Sequence, residues 1–514
     1  MTRRLESWTE GRWWAAADGG VPVLDAVTGD EVATVSSAGL DAAATVHFAR
    51  AVGGPSLRRQ GFRERAALVK ALALALKERR DELIELSARS GATPADASVD
   101  VDGGIGTALV FASKAKTLPD DNVLPEGDVE PLGKGGAFAG RHILTPLRGV
   151  AVEINAFNFP VWGMLEKLAP ALIAGVPTIV KPATPTAYVA ERAVRIMSET
   201  GLLPDGSLQL VTGSLGDLLD HLGGQDLVSF TGSASTAATL RAHDAVTRRS
   251  LRFNAEADSL NGSVLGPDAG PGTDEFDLFV DAVVAEMTCK AGQRCTAIRR
   301  ALVPERLVDD VCEALTERLA KVTVGAPGAD GVTMGALAGL AQRDEVLAAV
   351  DRLEGGARVL TGGTPAPDVV GADPQRGAFM APTLLRADDV DRPEPHTVEA
   401  FGPVATVLGY RDLDHAVDLL ARAEGSLVAS VVSHDPDAVR HLVTGAASYH
   451  GRVLVLDRDS AAESTGHGTP MPQLVHGGPG RAGGGEEEGG LRAVVHHLQR
   501  TAVQGSPRML DLFS

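Results

Sequence analysis

Two side chains are placed to do carbonyl chemistry together. Cys295 lies in AGQRCTAIRR, after the Gly292 loop and at the expected start of a short helix, between Arg294 and Arg299. Helix-start N–H groups and two guanidinium charges should lower its thiol pKa toward the thiolate that a nucleophile needs. Glu256 closes the apolar run LRFNAEA. A carboxylate at a buried sheet edge should have a raised pKa and can take a proton from water, although a structural, hydrogen-bonded glutamate gives the same pattern. Together they allow covalent capture of a carbonyl, departure of a hydride and hydrolysis of the thioester left behind. Asn158, in INAFNFPVWG, precedes a proline-started helix and offers an amide beside helix-start N–H groups. That suits a developing oxyanion, and equally a plain helix cap.

The other cysteines read as packing residues: Cys312 shares a helical face with Val308 and Leu315, and Cys289 lies in EMTCKAG. None of the 13 histidines has a diagnostic context, so no cysteine–histidine dyad is nominated. The literal G-x-G-x-x-G pattern occurs at Gly478, Gly480 and Gly483 and is rejected as a dinucleotide site. It runs into GGEEEGG, where three carboxylates would repel a pyrophosphate, and reads as a flexible turn. A better phosphate cradle is FTGSAST, Phe230 to Thr236, where Thr231, Gly232 and Ser233 end a strand and the free N–H groups of the following helix, with the Ser233 hydroxyl, suit a phosphate; an ordinary N-cap fits too. Lys181, at the end of TIVKP, reads as a partner for ribose or phosphate at a sheet edge, or as a lysine reaching out to water.

These residues need a scaffold, and the pattern around them supplies one. TIVKP, LQLVTG, LVSFTG and LRFNAEA read as buried strands, separated by helix candidates at 160–174, 186–200, 216–222 and 234–243. Repeated βα units predict a doubly wound parallel sheet of the nucleotide-binding type. An amphipathic helix pair is expected over 62–90. From Asp274 a second α/β unit begins, with a helix to Lys290, a strand near 300–303 and a helix over 306–322. The Pro-, Gly- and Asp-rich stretch 365–378 is expected to be a surface loop.

The composition agrees with a large soluble α/β chain. Of 514 residues 44% are hydrophobic and 22% charged, while 48 Lys and Arg against 67 Asp and Glu give a net charge of −19. Nucleic acid and anionic membranes should be repelled. Three cysteines without a C-x-x-C pair exclude a disulfide framework and suit a reducing compartment, and no signal or membrane-spanning segment is seen, so a cytoplasmic location is expected.

At this point the sequence resembles the aldehyde dehydrogenase superfamily over essentially its whole length. INAFNFP, IVKPAT, FTGSAST, the Glu256 strand, GQRCTA, EAFGPVA and HGGPGRAGGGEEEGG stand in the family's order. The resemblance implies an aldehyde dehydrogenase fold. It would have a doubly wound cofactor domain (1–118 and 150–255), an α/β catalytic domain (256–455) and a small β oligomerisation element (119–149 and 490–514), with a closing segment at 456–489. It implies Cys295 as nucleophile, Glu256 as base for the deacylating water and Asn158 in the oxyanion hole. Ala156, Phe157, Lys181, Thr184, Gly213, Phe230, Thr231, Gly232, Ser233, Glu399 and Phe401 would hold the cofactor. A glutamate common in the family three residues after the lysine is Thr184 here. Its loss removes a carboxylate that would repel a 2′-phosphate and favours NADP, with NAD also admitted.

The motif after Glu256 departs from the family's Leu-Gly-Gly-Lys and reads Ala257–Asp258–Ser259–Leu260. EADSLN, KAGQRCTAIRR and STGHGTPMPQLVHGGPGRAGGGEE are similar to the dehydrogenase part of the bifunctional ring-opening enzymes of phenylacetate degradation. They are similar also to the 3,4-dehydroadipyl-CoA semialdehyde dehydrogenases of benzoyl-CoA epoxidation. The resemblance therefore implies a CoA-linked semialdehyde as substrate and a homodimer or dimer of dimers. Because the chain stops where the bifunctional enzyme's hydratase-like domain would begin, it also implies a separate hydratase or hydrolase protein. Two readings of other classes remain: a silent fold that binds or scaffolds, and a thiol acyltransferase without hydride transfer.

Overall fold

The computed structural model describes residues 3–364 and 368–513, so the first positions of the loop expected at 365–378 lie outside the described residues. Two seven-stranded sheets organise the chain. In the first, the strands Arg252–Glu256, Leu227–Thr231, Ala151–Ile154, Thr178–Lys181 and Leu208–Leu210 run parallel in that spatial order, and the N-terminal hairpin Ser7–Thr9/Arg12–Trp14 is added antiparallel at the far edge. These strands are largely buried on both faces because helices cover both. Trp162–Ala174, Phe62–Glu78, Pro94–Lys114 and Ala187–Glu199 pack on one side around Leu72, Phe111, Leu168 and Val194. The other face packs around Val46, Leu218 and Val228.

Register decides what this sheet can do. Lys181 pairs with Ile154, Ile154 with Phe230, and Thr231 with Glu256. The four carboxyl-terminal strand ends are thus level along one edge, where ligands of doubly wound sheets dock.

The second sheet runs Arg358–Thr361, Thr383–Arg386, Val404–Tyr410, Arg300–Pro304, Gly262–Leu265, Ser426–Val432 and His450–Leu456 in spatial order, all parallel except the first. The helices Asp274–Thr288 and Val308–Leu319 fall where the sequence places them. A third, antiparallel sheet joins Leu124–Pro131, Ala139–Pro146 and Leu498–Gly505, so the 119–149 stretch and the chain's C-terminal part pair with each other.

Two local expectations are corrected. The candidate helix at 216–222 is a single 3₁₀ turn, Leu218–His221. The glycine- and glutamate-rich run is no flexible turn: Glu486–Glu488 pairs antiparallel with Val475–Gly477, and Glu487 and Glu488 are buried. This hairpin lies against the Glu256 strand, with Gly485 N–H donating to the Ala255 carbonyl and Asn254 Nδ2 to the Glu486 carbonyl. The glycines make the approach feasible, since a Cβ on Gly483 would stand 2.2 Å from the Ala255 oxygen.

Candidate active site

The loop that carries Cys295 is forced into shape. Lys290, Ala291 and Gly292 all take left-handed backbone angles, with φ of 50°, 50° and 66°. Two consecutive non-glycine residues hold that conformation only where their surroundings fix them. Here Lys290 N–H donates to Asp96 Oδ1 at 2.8 Å, and the Lys290 ammonium donates to the Asn158 carbonyl. Asn261 Nδ2 donates to the carbonyls of Cys295 and Ala297 at 2.8 and 3.0 Å. The unusual stretch after Glu256 thereby acquires a role, as Asp258 Oδ1 also accepts from Ala234 N–H at 2.8 Å. No helix follows Cys295, which sits in a turn before the strand Arg300–Pro304.

The electrostatic expectation for the thiol is reversed. Burial, reinforced by the nearby Glu256 charge, pushes Cys295 up to about 12. The flanking arginines are committed elsewhere. Arg294 donates to Glu286 at 3.2 Å, and Arg299 donates to the Gly402 and Gly292 carbonyls and lies 3.9 Å from Glu399.

Glu256 also departs from expectation. Burial works to raise its carboxyl, but the His476 and Lys167 charges outweigh burial and hold it below the usual carboxylate range. His476 Nε2 is 3.1 Å from Glu256 Oε2 and 4.0 Å from Cys295 Sγ. This histidine, delivered by the hairpin strand Val475–Gly477, carries no signal of its own beyond its place in HGGPGRAGGGEEEGG. Behind it Lys167 bridges Glu166 at 2.7 Å and Glu487 at 3.0 Å, so the buried carboxylates of the hairpin meet a buried ammonium.

Two cavities meet at these residues. The larger, of about 410 Å³, is lined by Ala156, Phe157, Lys181, Phe230, Thr231, Gly232, Ser233, Glu399 and Phe401. The smaller, of about 50 Å³, is walled by Phe159, Trp162, Thr296, Pro470 and His476. Asn155, Asn158, Glu256 and Cys295 belong to both walls. Of the residues proposed for the cofactor, Thr184 and Gly213 are not among those lining the larger cavity. Thr184 opens the turn Thr184–Thr186 just beyond Lys181, and Gly213 (φ 100°) is packed against Ser36 and Ser37.

The larger cavity fits a dinucleotide. Asn155 Oδ1 and Nδ2, Thr231 Oγ1 and Glu399 Oε1 are buried without a hydrogen-bond partner, which is costly unless a ligand satisfies them. Phe157 and Phe401 stand edge to face at 5.9 Å, apolar walls for a ring. Ser233 caps the helix Ala234–Arg241 by accepting from Thr236 N–H, and also faces the cavity. Burial lowers Lys181.

Fold and site together define an oxidoreductase that pairs a thiol with a dinucleotide-type sheet. The chain belongs to the aldehyde dehydrogenase family, whose model matches residues 13–500. It is 47% identical over 478 residues, 93% of each chain, to 3,4-dehydroadipyl-CoA semialdehyde dehydrogenase of Aromatoleum evansii. It is 30% identical to alpha-ketoglutarate semialdehyde dehydrogenase of Haloferax volcanii over 78% of this chain and 79% of that one. Its fold matches a point mutant of betaine aldehyde dehydrogenase of Staphylococcus aureus in complex with NAD+, with a TM-score of 0.85 at 23% identity over 98% of this chain and 97% of that one. Among the described residues no helix is long and apolar enough to cross a membrane.

Proposed function

We propose that this enzyme oxidises the aldehyde of a CoA-linked semialdehyde of the 3,4-dehydroadipyl type to the free carboxylate, with NADP preferred and NAD admitted. One observation carries the chemistry: Cys295, Glu256 and Asn158 stand where the two cavities share a wall. A carbonyl entering the smaller cavity reaches Cys295 at the wall shared with the larger one. The substrate class rests on the 47% identity over nearly the whole of both chains. That likeness favours the dehydroadipyl reading over the 3-oxo-5,6-dehydrosuberyl-CoA semialdehyde of phenylacetate degradation.

Cys295 gives its proton to Glu256 and adds to the aldehyde carbon, while Asn158 and the Cys295 N–H hold the oxyanion. A nicotinamide dinucleotide held by the residues of the larger cavity would supply the hydride acceptor. Glu256, once it has released the thiol proton to solvent, takes a proton from the water that attacks the thioester, and Cys295 leaves as thiolate. Lys181, Ser233, Glu399 and Phe401 position the cofactor in this reading, together with Ala156, Phe157, Phe230, Thr231 and Gly232. Glu256 argues for water rather than CoA as the acyl acceptor, so the product is an acid.

Residues 1–118 and 150–255 serve as the cofactor domain, 256–455 as the catalytic domain and 456–489 as the segment that closes the site. The antiparallel sheet of 119–149 and 490–514 provides the contacts of a homodimer or dimer of dimers. A separate hydratase or hydrolase would supply the substrate, and the cytoplasm is its expected place.

Rapid mixing with a CoA-linked semialdehyde tests this reading. A stoichiometric burst of nicotinamide reduction is expected, larger with NADP than with NAD and larger than with a simple medium-chain aldehyde. Cys295→Ala should abolish it while dinucleotide binding persists, and Glu256→Gln, which removes both the acceptor of the thiol proton and the base for water, should diminish the burst and slow hydrolysis of whatever acyl-enzyme forms, visible as added mass that persists. Absence of a burst with every substrate and cofactor would overturn the proposal.

A further inference from the structure

His476 stands where the proposed chemistry needs a cation, yet none of the proton, hydride or acyl transfers requires it as donor or acceptor. Its side chain is 4% exposed, as is that of Glu256, and a single nitrogen, Nε2, faces both Glu256 Oε2 (3.1 Å) and Cys295 Sγ (4.0 Å). All three groups lie within 4.8 Å of one another.

We propose that His476 is the fixed imidazolium of the active centre, pairing with Glu256 in the resting enzyme and with the Cys295 thiolate once the thiol proton has moved to Glu256. This rests on the dehydrogenase reading of Cys295 and Glu256. The step balances without another reactant: the S–H bond breaks, an O–H bond forms on Glu256, His476 keeps its proton, and the negative charge moves from oxygen to sulfur. The net charge of the three groups is the same before and after, so a buried site is spared the creation of an extra charge. Glu256 later gives up this proton to solvent and is again the base for water. The same imidazolium steadies the thiolate when it leaves the tetrahedral intermediate.

The surroundings support a charged ring. Burial alone would lower the His476 pKa, but the Glu256 carboxylate and the thiol raise it well above the ordinary histidine value. Facing it are Glu256 from the strand Arg252–Glu256, Cys295 from its loop, Glu166 across the same cavity wall and Glu488 from its own hairpin. Lys167, on the helix Trp162–Ala174, acts on Glu256 but is held by Glu166 and Glu487. The other cations whose charge reaches Cys295 are engaged. Arg294 pairs with Glu286, Arg299 donates to backbone carbonyls, and Arg452 donates to the His467 carbonyl at 2.7 Å. A protease-type dyad, in which one ring nitrogen binds the carboxylate and the other removes the thiol proton, does not fit, because the same Nε2 faces both Glu256 and Cys295.

The test reads the thiol and needs no turnover. Cofactor-free protein is alkylated with iodoacetamide between pH 6 and 9, and Cys295 labelling is followed by peptide mass. His476→Gln should slow labelling at pH 7 by tenfold or more, while His476→Lys, which keeps a cation, should stay within about threefold of wild type. Thermal stability and dinucleotide binding confirm that each variant is folded. Superimposable profiles for wild type and a folded His476→Gln would overturn the proposal. Should the glutamine variant not fold, reagent preference in wild type decides. Anionic iodoacetate should label Cys295 at least as fast as neutral iodoacetamide, and the reverse order would overturn the assignment. A missing burst with every aldehyde would sink the dehydrogenase reading but leave this contrast in labelling intact.

Discussion

Asn261 holds Cys295 by its backbone: the amide Nδ2 donates to the Cys295 carbonyl at 2.8 Å and to the Ala297 carbonyl at 3.0 Å. Its Oδ1 accepts from Val428 N–H at 3.0 Å and from Ser259 Oγ at 2.6 Å. One fully buried side chain thus ties the Cys295 loop to the central strands of the second sheet.

Asn261→Ala should therefore injure catalysis more than binding. Removing the amide leaves buried carbonyls without a donor, at about 1–3 kcal/mol for each group left unsatisfied. The thiol would lose its fixed position relative to Asn158 and Glu256. The expected result is a fall in kcat of tenfold or more, about 1.4 kcal/mol in the barrier, with dinucleotide affinity unchanged by titration. A variant with wild-type kcat would show that the loop is held by other contacts.

Much of this site is legible in the amino-acid sequence itself. The strands ending at Lys181, Thr231 and Glu256 carry strong patterns, short apolar runs followed by helix starts, and the structure places them within a residue or two of expectation. Relations between distant segments are not legible in the same way. His476 is one histidine among 13, and only the pairing of Val475–Gly477 with Glu486–Glu488 brings it to Cys295. The expected thiol pKa is wrong for a related reason: burial and the Glu256 charge raise it, and sequence shows neither the burial nor that Glu286 and backbone carbonyls occupy Arg294 and Arg299. Asp258 and Asn261 look like departures from a family motif, and their meaning emerges only with the helix start and the loop that they tie down.

Cofactor choice should turn on residue 184. Thr184 begins the turn that follows Lys181 and Ala183, two residues of the larger cavity. A glutamate there would place a carboxylate beside the adenosine ribose in the proposed pose and repel a 2′-phosphate. Thr184→Glu is expected to lower kcat/KM for NADP by roughly tenfold or more and to change the NAD value less. Equal effects on both cofactors, measured by steady-state kinetics, would remove Thr184 from the specificity argument.

Glu399 gives a pH signature. Burial pushes its carboxyl up from 4.5 to about 7, a rise that the neighbouring Arg299 only partly opposes. The folded state therefore binds this proton more tightly than the unfolded chain does. The carboxyl is neutral and costs nothing below about pH 4.5, and its burial weakens the fold progressively as pH rises to about 7. At about 1.4 kcal/mol per pH unit of displacement, the penalty above pH 7 has a ceiling of about 3 kcal/mol. Glu399→Gln should match wild type in thermal stability near pH 5 and exceed it at pH 8, in cofactor-free protein. Parallel curves across that range would exclude a raised Glu399.

The hairpin that carries His476 and Glu487 depends on backbone contact with the Glu256 strand, and Gly483 is where that contact is tightest. It takes φ 107°, and an added Cβ would lie 2.2 Å from the Ala255 carbonyl oxygen, a backbone atom that cannot rotate away. Its neighbour Gly484 has φ 72° but no atom within 4 Å of the corresponding Cβ. Gly484→Ala thus pays for conformation alone, about 1–2 kcal/mol, and should keep its activity. Gly483→Ala must also push the hairpin off the strand, which displaces His476 from Glu256 and Glu487 from Lys167. It should lose more thermal stability than Gly484→Ala and at least tenfold in kcat, about 1.4 kcal/mol. Both are read by thermal melting and burst kinetics on the same preparations. If the two variants prove equally active, the close approach at Ala255 is not what positions His476 and Glu487.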